Sequence, residues 1–286
     1  MALLGGRWYP HGDSGREILL SPYLFIICAE GLSMLLQKAQ MEGAIHGCRV
    51  ARGAPSMSHL FFADDSLLFF KANIQEASVI KQCLIRYEKL SGQMVNFDTS
   101  SICFSRNTQE VIRMEVAACL EVEQATNFGK YLGLPSFVGR NKRVVFSYVE
   151  DKIRQRIGSW NKKLLSQAGK EILLKSVAQS MPIFSMSVFL LPETVCMSIG
   201  RIINRYWWGC GTERGIHWKA WDKLCIPKKY GGLSFKDLRA FNLAMLGKQA
   251  WRLLTNPTTL AARIYKARYY PTTSFIDAKV PHYFFY

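Results

Sequence analysis

The sequence predicts an α+β chain with two unlike halves. Two observations carry this. Short Phe- and Leu-rich runs bounded by turn residues alternate with helical patterns in the first half. Longer amphipathic helical patterns dominate the second half, where the charge also changes. Residues 1–129 hold 11 Lys/Arg and 13 Asp/Glu, a net of −2, whereas residues 130–286 hold 26 and 8, a net of +18. With a formal charge of +16 over 286 residues, a polyanionic partner is the expectation.

In chain order, Ser21-Pro22 opens a helix through Gln37, with Ser21 as N-cap and Pro22 at the first helical position. It is apolar around most of its circumference, which predicts burial. Two apolar runs, one ending at Phe62 and one running from Leu67 to Phe70, enclose the four-residue turn Ala63-Asp64-Asp65-Ser66 as the arms of a β-hairpin. Ala77, Ile80, Leu84 and Tyr87 share one helix face, and Gly92 supplies a left-handed C-terminus. Met94–Phe97 and Ser101–Phe104 read as strands. Gly129, Gly133, Pro135 and Gly139 then break the pattern.

Beyond the break, Val145, Val149, Ile153 and Ile157 form a helical stripe, with Arg143, Glu150 and Arg154 on another face. Ser166–Gln179 reads as a helix ended by Pro182, and residues 236–254 as another that carries Lys248 and Arg252 one turn apart. Three domains follow: a sheet domain over 1–135, a basic helical segment over 136–200, and an aromatic, basic helical extension over 201–286.

Other features narrow the class. The eight cysteines include no Cys-x-x-Cys pair and sit mostly in apolar runs, as small hydrophobes of a reducing compartment do. Cys210, His217 and Cys225 match no common zinc spacing. The apolar run at Met1–Trp8 is too short for a signal peptide, and no stretch approaches membrane-spanning length, so an intracellular protein without membrane contact is expected. Trp207, Trp208, Trp218 and Trp221 lie among Ile202, Ile203, Ile216 and Leu224 and read as a packed aromatic core, with a base-stacking platform as the alternative. His217 reads as an interior histidine.

The feature richest in chemistry is the hairpin. Adjacent carboxylates at the tip of an apolar hairpin are costly unless a cation sits there, and a rigid pair of acids can hold Mg²⁺ against nucleotide phosphates. The bland reading is a polar surface turn.

Taken in order, the segments resemble the reverse transcriptase of plant non-LTR (LINE-type) retrotransposons. Phe62-Ala63-Asp64-Asp65 resembles the family's catalytic turn, and Ser21-Pro22-Tyr23-Leu24-Phe25 with Ala29-Glu30-Gly31-Leu32 the helix after its template-contacting loop. Ser91-Gly92-Gln93 through Asn96 resembles the next block, and Tyr131-Leu132-Gly133-Leu134-Pro135 the primer-gripping hairpin. Trp207-Trp208-Gly209, Ile216-His217-Trp218, Gly231-Gly232-Leu233 and Lys248–Leu254 resemble the tail of such elements.

The resemblance implies an incomplete polymerase palm, an antiparallel sheet with helices on one face, followed by a helical thumb and extension. It implies RNA-directed DNA synthesis with Mg²⁺ on Asp64 and Asp65, deoxynucleotides, and an RNA and DNA primer–template as partner. Duplex contacts are expected from Tyr131, Leu132, Gly133, Arg140, Lys142, Arg143, Arg154, Lys162, Lys163, Lys170 and Lys175. The missing N-terminal polymerase portion is a further expected partner.

Three departures oppose activity. An upstream strand with the third metal-binding acid is lacking, and Asp13 has no strand context. Gly15–Leu20 replaces the family's Arg-Gln-Gly-Asp-Pro-Leu, keeping only Leu20. Thr99 stands where the family commonly has Lys. The reading is therefore a catalytically defective fragment, whose palm strands lack a neighbour and present an open edge. The alternatives are a non-enzymatic nucleic-acid-binding protein and a retrotransposon remnant without function.

Overall fold

The structure, a computed structural model, describes residues 1–10, 21–126, 129–136, 138–160, 165–209 and 215–278. The chain divides into two compact units. Among the described residues, the first comprises those within 1–131 and 260–278, and the second those within 132–259.

The first unit is α+β. A five-stranded sheet has β1 (Ala2–Pro10), β2 (His59–Phe62), β3 (Asp65–Phe70), β4 (Gln93–Phe104) and β5 (Glu123–Gln124) in the order β2-β3-β1-β4-β5. All pairs are antiparallel except the short β4–β5 pair, which makes the sheet mixed. Helices α1 (Ser21–Met41), α2 (Ile74–Ser91) and α3 (Glu110–Leu120) share a core with the inward residues of the sheet. Alternation places Ala2, Leu4, Leu68, Phe70, Val95 and Ile102 in that core.

The inner strand β3 does not lack the neighbour expected to be missing, although β2 stays at the edge of the sheet among the described residues. The N-terminal segment, read from sequence only as too short for a signal peptide, is the central strand β1, and it lies between β3 and β4. Two adjacent glycines hide its strand propensity, and burial of Ala2 and Leu4 overrides that weakness. Opposite Gly6, strand β4 bulges: the register jumps from Gly5↔Ser101 to Arg7↔Asn96. Asn96 closes the bulge, its Oδ1 accepting from the Thr99 N–H at 3.2 Å and its carbonyl from Ser100 Oγ at 2.6 Å.

α2 matches its sequence reading closely. Ala77, Ile80, Leu84 and Tyr87 are buried, Asn73 Oδ1 caps the Glu76 N–H, and Gly92 ends the helix at φ +69°. Glu76 is buried and acts as a pin: it accepts from the His46 N–H (3.1 Å), His46 Nδ1 (2.8 Å) and the Lys71 N–H (2.9 Å).

α1 corrects its reading. It buries Leu32, Leu36 and Ala39 but exposes Tyr23, Leu24, Ile26, Ile27 and Met34. The core takes only one side of the helix, so an apolar circumference does not translate into burial.

The second unit is helical. It contains α4 (Lys142–Trp160), α5 (Gln167–Leu173) running into a π turn (Leu174–Ala178), α6 (Ile183–Val188), α7 (Glu193–Trp208), α8 (Trp221–Cys225), a 3₁₀ turn (Lys228–Tyr230) and α9 (Leu238–Thr255). α10 (Leu260–Tyr269) belongs to the first unit. The α4 stripe is buried at Phe146, Val149, Ile153, Ile157 and Trp160; Val145 sits beside it, half-exposed, because Phe146 fills the first inward position. Ser166 caps α5 as read, its Oγ accepting from the Gly169 N–H at 3.2 Å. The packed centre joins α4, α7, Trp207, Leu224, Phe235 and Leu238.

Candidate functional site

The acidic hairpin forms, but with a tighter turn than the four residues its sequence predicts, because Asp65 and Ser66 already pair in the strand. Phe62 pairs with Asp65, leaving Ala63 and Asp64 as a two-residue turn. Ala63 has φ +48°, a left-handed conformation that costs a residue with a Cβ about 1–2 kcal/mol. Positive φ at the first turn residue is the geometry that matches the twist of a tight hairpin. The turn therefore holds both carboxylates on a short, stiff lever: Asp64 exposed at the tip, Asp65 half-buried at the first residue of β3.

The neighbouring strand decides what the pair can do. In the β1–β3 register, Arg7 stands opposite Asp65, and Ala2–Pro10 contains neither Asp nor Glu. Among the described residues, no three His, Cys, Asp or Glu side chains come together as a metal-binding group. Asp13, with the whole of Gly15–Leu20, lies outside the described residues.

Tyr131 is brought to the hairpin. Burial pushes its hydroxyl pKa up, and the negative charge of Asp65 adds to that shift. Leu132 (φ +51°) and Gly133 (φ +76°) form the turn between the short strands β6 (Lys130–Tyr131) and β7 (Leu134–Pro135). Two consecutive left-handed residues are the mark of a type I′ turn, which explains Gly133 and leaves Leu132 strained.

The basic residues fall into three groups. Arg140, Lys142 and Arg143 are exposed where α4 begins, and Arg154 is exposed about three turns further on. The first turn of α4 carries no acid, so three cations crowd the positive end of a 19-residue helix. That is electrostatically adverse unless an anion is near. Lys170 and Lys175 are engaged inside the second unit. Lys170 Nζ donates to the Gly209 carbonyl at 2.6 Å and lies over Tyr206; Lys175 pairs with Glu171 at 2.7 Å and lies over Phe235. Hydrogen bonds from Lys175 and Lys228 hold the Glu171 carboxyl below its ordinary pKa. Lys162 and Lys163 lie outside the described residues.

The tryptophan cluster is divided. Trp207 is buried, with its ring edge-on to Phe235, and Trp221 stacks on Phe235 at 5.2 Å. Trp218 is instead 76% exposed, and His217 is exposed as well, its Nδ1 3.2 Å from Asn204 Nδ2. Residues 216–220 form no helix or strand and run outside the packed centre, so apolar neighbours in sequence did not bring burial. Cys210 lies outside the described residues, and the other seven cysteines are free thiols. No described helix is long and apolar enough to cross a membrane.

What these features define is a class: an α+β unit with an acidic hairpin, joined in one chain to a basic helical unit. No protein-family model matches the chain. It is 39% identical over 103 residues to "Uncharacterized mitochondrial protein AtMg00310" of Arabidopsis thaliana, covering 35% of this chain and 67% of the relative. The chain belongs to the same family as that protein. It is also 32% identical over 138 residues to "Putative ribonuclease H protein At1g65750" of the same plant, covering 48% of this chain and 22% of the relative. A third similarity, 53% identity over 47 residues, is to "Uncharacterized mitochondrial protein AtMg01250", covering 16% of this chain and 38% of that relative. The chain thus spans only about a fifth of the ribonuclease H-named relative.

Proposed function

We propose that the chain is a fragment of a reverse transcriptase from a plant non-LTR retrotransposon, defective in DNA synthesis by itself and retaining nucleic-acid binding. The observation that carries this reading is the pairing of an intact Asp64–Asp65 hairpin with a central strand that has no acid. The hairpin has a two-residue turn and apolar arms that hold two carboxylates on a rigid element, and Tyr131 stands within electrostatic reach of Asp65. Where the family's third carboxylate belongs on the adjoining strand, the register places Arg7. The plant relative with a ribonuclease H name supports a retroelement origin, since that name also denotes chemistry on nucleic acid.

Two-metal nucleotidyl transfer needs three carboxylates to hold both Mg²⁺ ions and align the primer hydroxyl with the α-phosphate. Two adjacent acids on one turn do not fit that pair of ions, and no catalytic step is assigned to them. The binding function rests on the exposed Arg140, Lys142, Arg143 and Arg154, which would contact phosphates without reading sequence.

Primer extension on a DNA-primed RNA template with Mg²⁺, run beside D64A, tests the reading. Neither protein should incorporate nucleotide; incorporation confined to the unmutated chain would overturn the assignment of a defective site. Binding to the same primer–template should weaken with salt. The triple variant R140Q/K142Q/R143Q should flatten the slope of log K against log[salt] by up to about 0.9 per lost contact. An unchanged slope would remove these residues from the interface.

A further inference from the structure

We propose that Trp218 and Tyr230 form a stacking platform for single-stranded nucleic acid, built from residues other than those of the acidic hairpin and of the start of α4. Both rings are presented to solvent within the second unit: Trp218 is 76% exposed and Tyr230 70%. They sit on two segments joined by a hydrogen bond from Lys219 Nζ to the Gly231 carbonyl at 3.1 Å. Lys219 directly follows Trp218 and Gly231 directly follows Tyr230, so this bond ties together the segments that carry the two aromatic residues.

The segment bearing Tyr230 is rigid. The 3₁₀ turn Lys228–Tyr230 ends at Gly231 with φ +81°, and the Lys228 N–H donates to Ser234 Oγ at 3.0 Å. The returning chain is fastened by Leu233 N–H to the Leu224 carbonyl (3.0 Å) and Ser234 N–H to the Ile226 carbonyl (2.9 Å). Gly232 approaches the Ile226 carbonyl so closely that any Cβ would overlap it. An exposed ring on so constrained a loop loses little conformational freedom when it binds, which is the advantage of a preorganised site.

A single exposed aromatic residue is ordinary on a protein surface. Here the company of the rings indicates the ligand. Residues 215–231 contain four lysines and one acid, Asp222. Lys229 lies over one face of the Tyr230 ring at 4.7 Å, so a base would stack on the opposite face with a cation within reach of its phosphate. Lysine is depleted from protein–protein contact patches, whereas alternating aromatic and basic side chains are what a single strand requires. Duplex bases are already stacked on one another and offer no free face, so single strands are the ligand class.

The test uses the full chain and labelled 20-mers of oligo(U) and oligo(dT), with a 20-base-pair duplex as control, in a fluorescence-anisotropy titration. W218A and Y230A should each weaken single-strand binding about fivefold to 150-fold, the effect of losing one base–aromatic stack, with the salt slope unchanged. W218F should stay within about threefold of the parent. K229Q should lower the slope by about 0.7, the value for one single-strand phosphate contact. Comparing the two oligomers decides between RNA and DNA as the strand preferred. The double variant D64A/D65A should bind single strands as the parent does, so failure of the polymerase reading and failure of the platform remain distinguishable. Single-strand affinity unchanged in both W218A and Y230A overturns the proposal, as does the absence of single-strand binding by the parent. A W218A-sensitive self-association without any change in oligomer binding would also overturn it and assign the rings to a protein contact.

Discussion

Asn242 gives the sharpest quantitative prediction. It lies in the interior of α9, 1% exposed, and spends every polar atom of its amide on the end of α6 and the residues that follow it. Nδ2 donates to the carbonyls of Met186 (2.7 Å) and Phe189 (2.9 Å), and Oδ1 accepts from the Leu191 N–H (2.8 Å). Met186 lies in the last turn of α6 and Phe189 is its C-cap, where carbonyls lack partners within the helix. The side chain therefore completes a helix end from across the core. Asn242→Leu keeps the same branched heavy-atom skeleton but orphans two carbonyls and one N–H. At about 1–3 kcal/mol for each buried unsatisfied group, and with the Phe189 bond only partly buried, the loss should be about 3–5 kcal/mol. Asn242→Ala should lose somewhat less, because the space admits water, and Asn242→Asp should lose at least as much as Leu, because a carboxylate would face two carbonyl oxygens. Urea unfolding followed by tryptophan emission is the assay, since six of the seven tryptophans lie within residues 132–259. A Leu variant within about 1 kcal/mol of the parent would refute the assignment of this amide as a required cap.

Three further outcomes follow from the first unit. Glu76→Ala should cost about 2–4 kcal/mol in a thermal melt, since two backbone N–H groups and the His46 ring lose their acceptor, and Glu76→Gln should cost less; equal melting temperatures for Ala and parent would contradict the pin. Ala63→Gly should stabilise the chain by about 0.5–1 kcal/mol by removing a Cβ from a left-handed turn residue, and a loss of stability would show that Ala63 is not strained. His59 bonds Ser33 Oγ at 2.9 Å and Ser58 Oγ at 3.0 Å, and burial pushes its pKa below the ordinary 6.5 against an opposing pull from Glu30. The unfolded chain then takes up a proton first as pH falls, so this contribution is complete above pH 6.5 and drains away below it until the folded value is reached. Melting temperatures at pH 7.5 and 5.5 should differ more for the parent than for His59→Gln; an identical difference would exclude His59 as the source.

What the sequence determined by itself is whatever depends on neighbours along the chain. The α2 stripe, its end at Gly92, the turn at Ala63-Asp64, the cap at Ser166 and the asymmetry of charge are all local patterns, because helix period, turn chemistry and net charge are set by residues a few positions apart. The acidic pair at the hairpin was legible for the same reason. The tertiary structure decided what depends on which segments meet. Ala2–Pro10 became a central strand because β3 and β4 present it with two paired edges, and no residue within it announces that. The register that sets Arg7 against Asp65, and so leaves the hairpin with two acids, exists only once those strands pair. The same holds for α1, covered on one side alone, and for Trp218, which remains in solvent while Trp207 and Trp221 a few residues away close on Phe235. Hydrophobicity says that burying such groups is favourable. Only the packed elements determine which of them find a surface to be buried against.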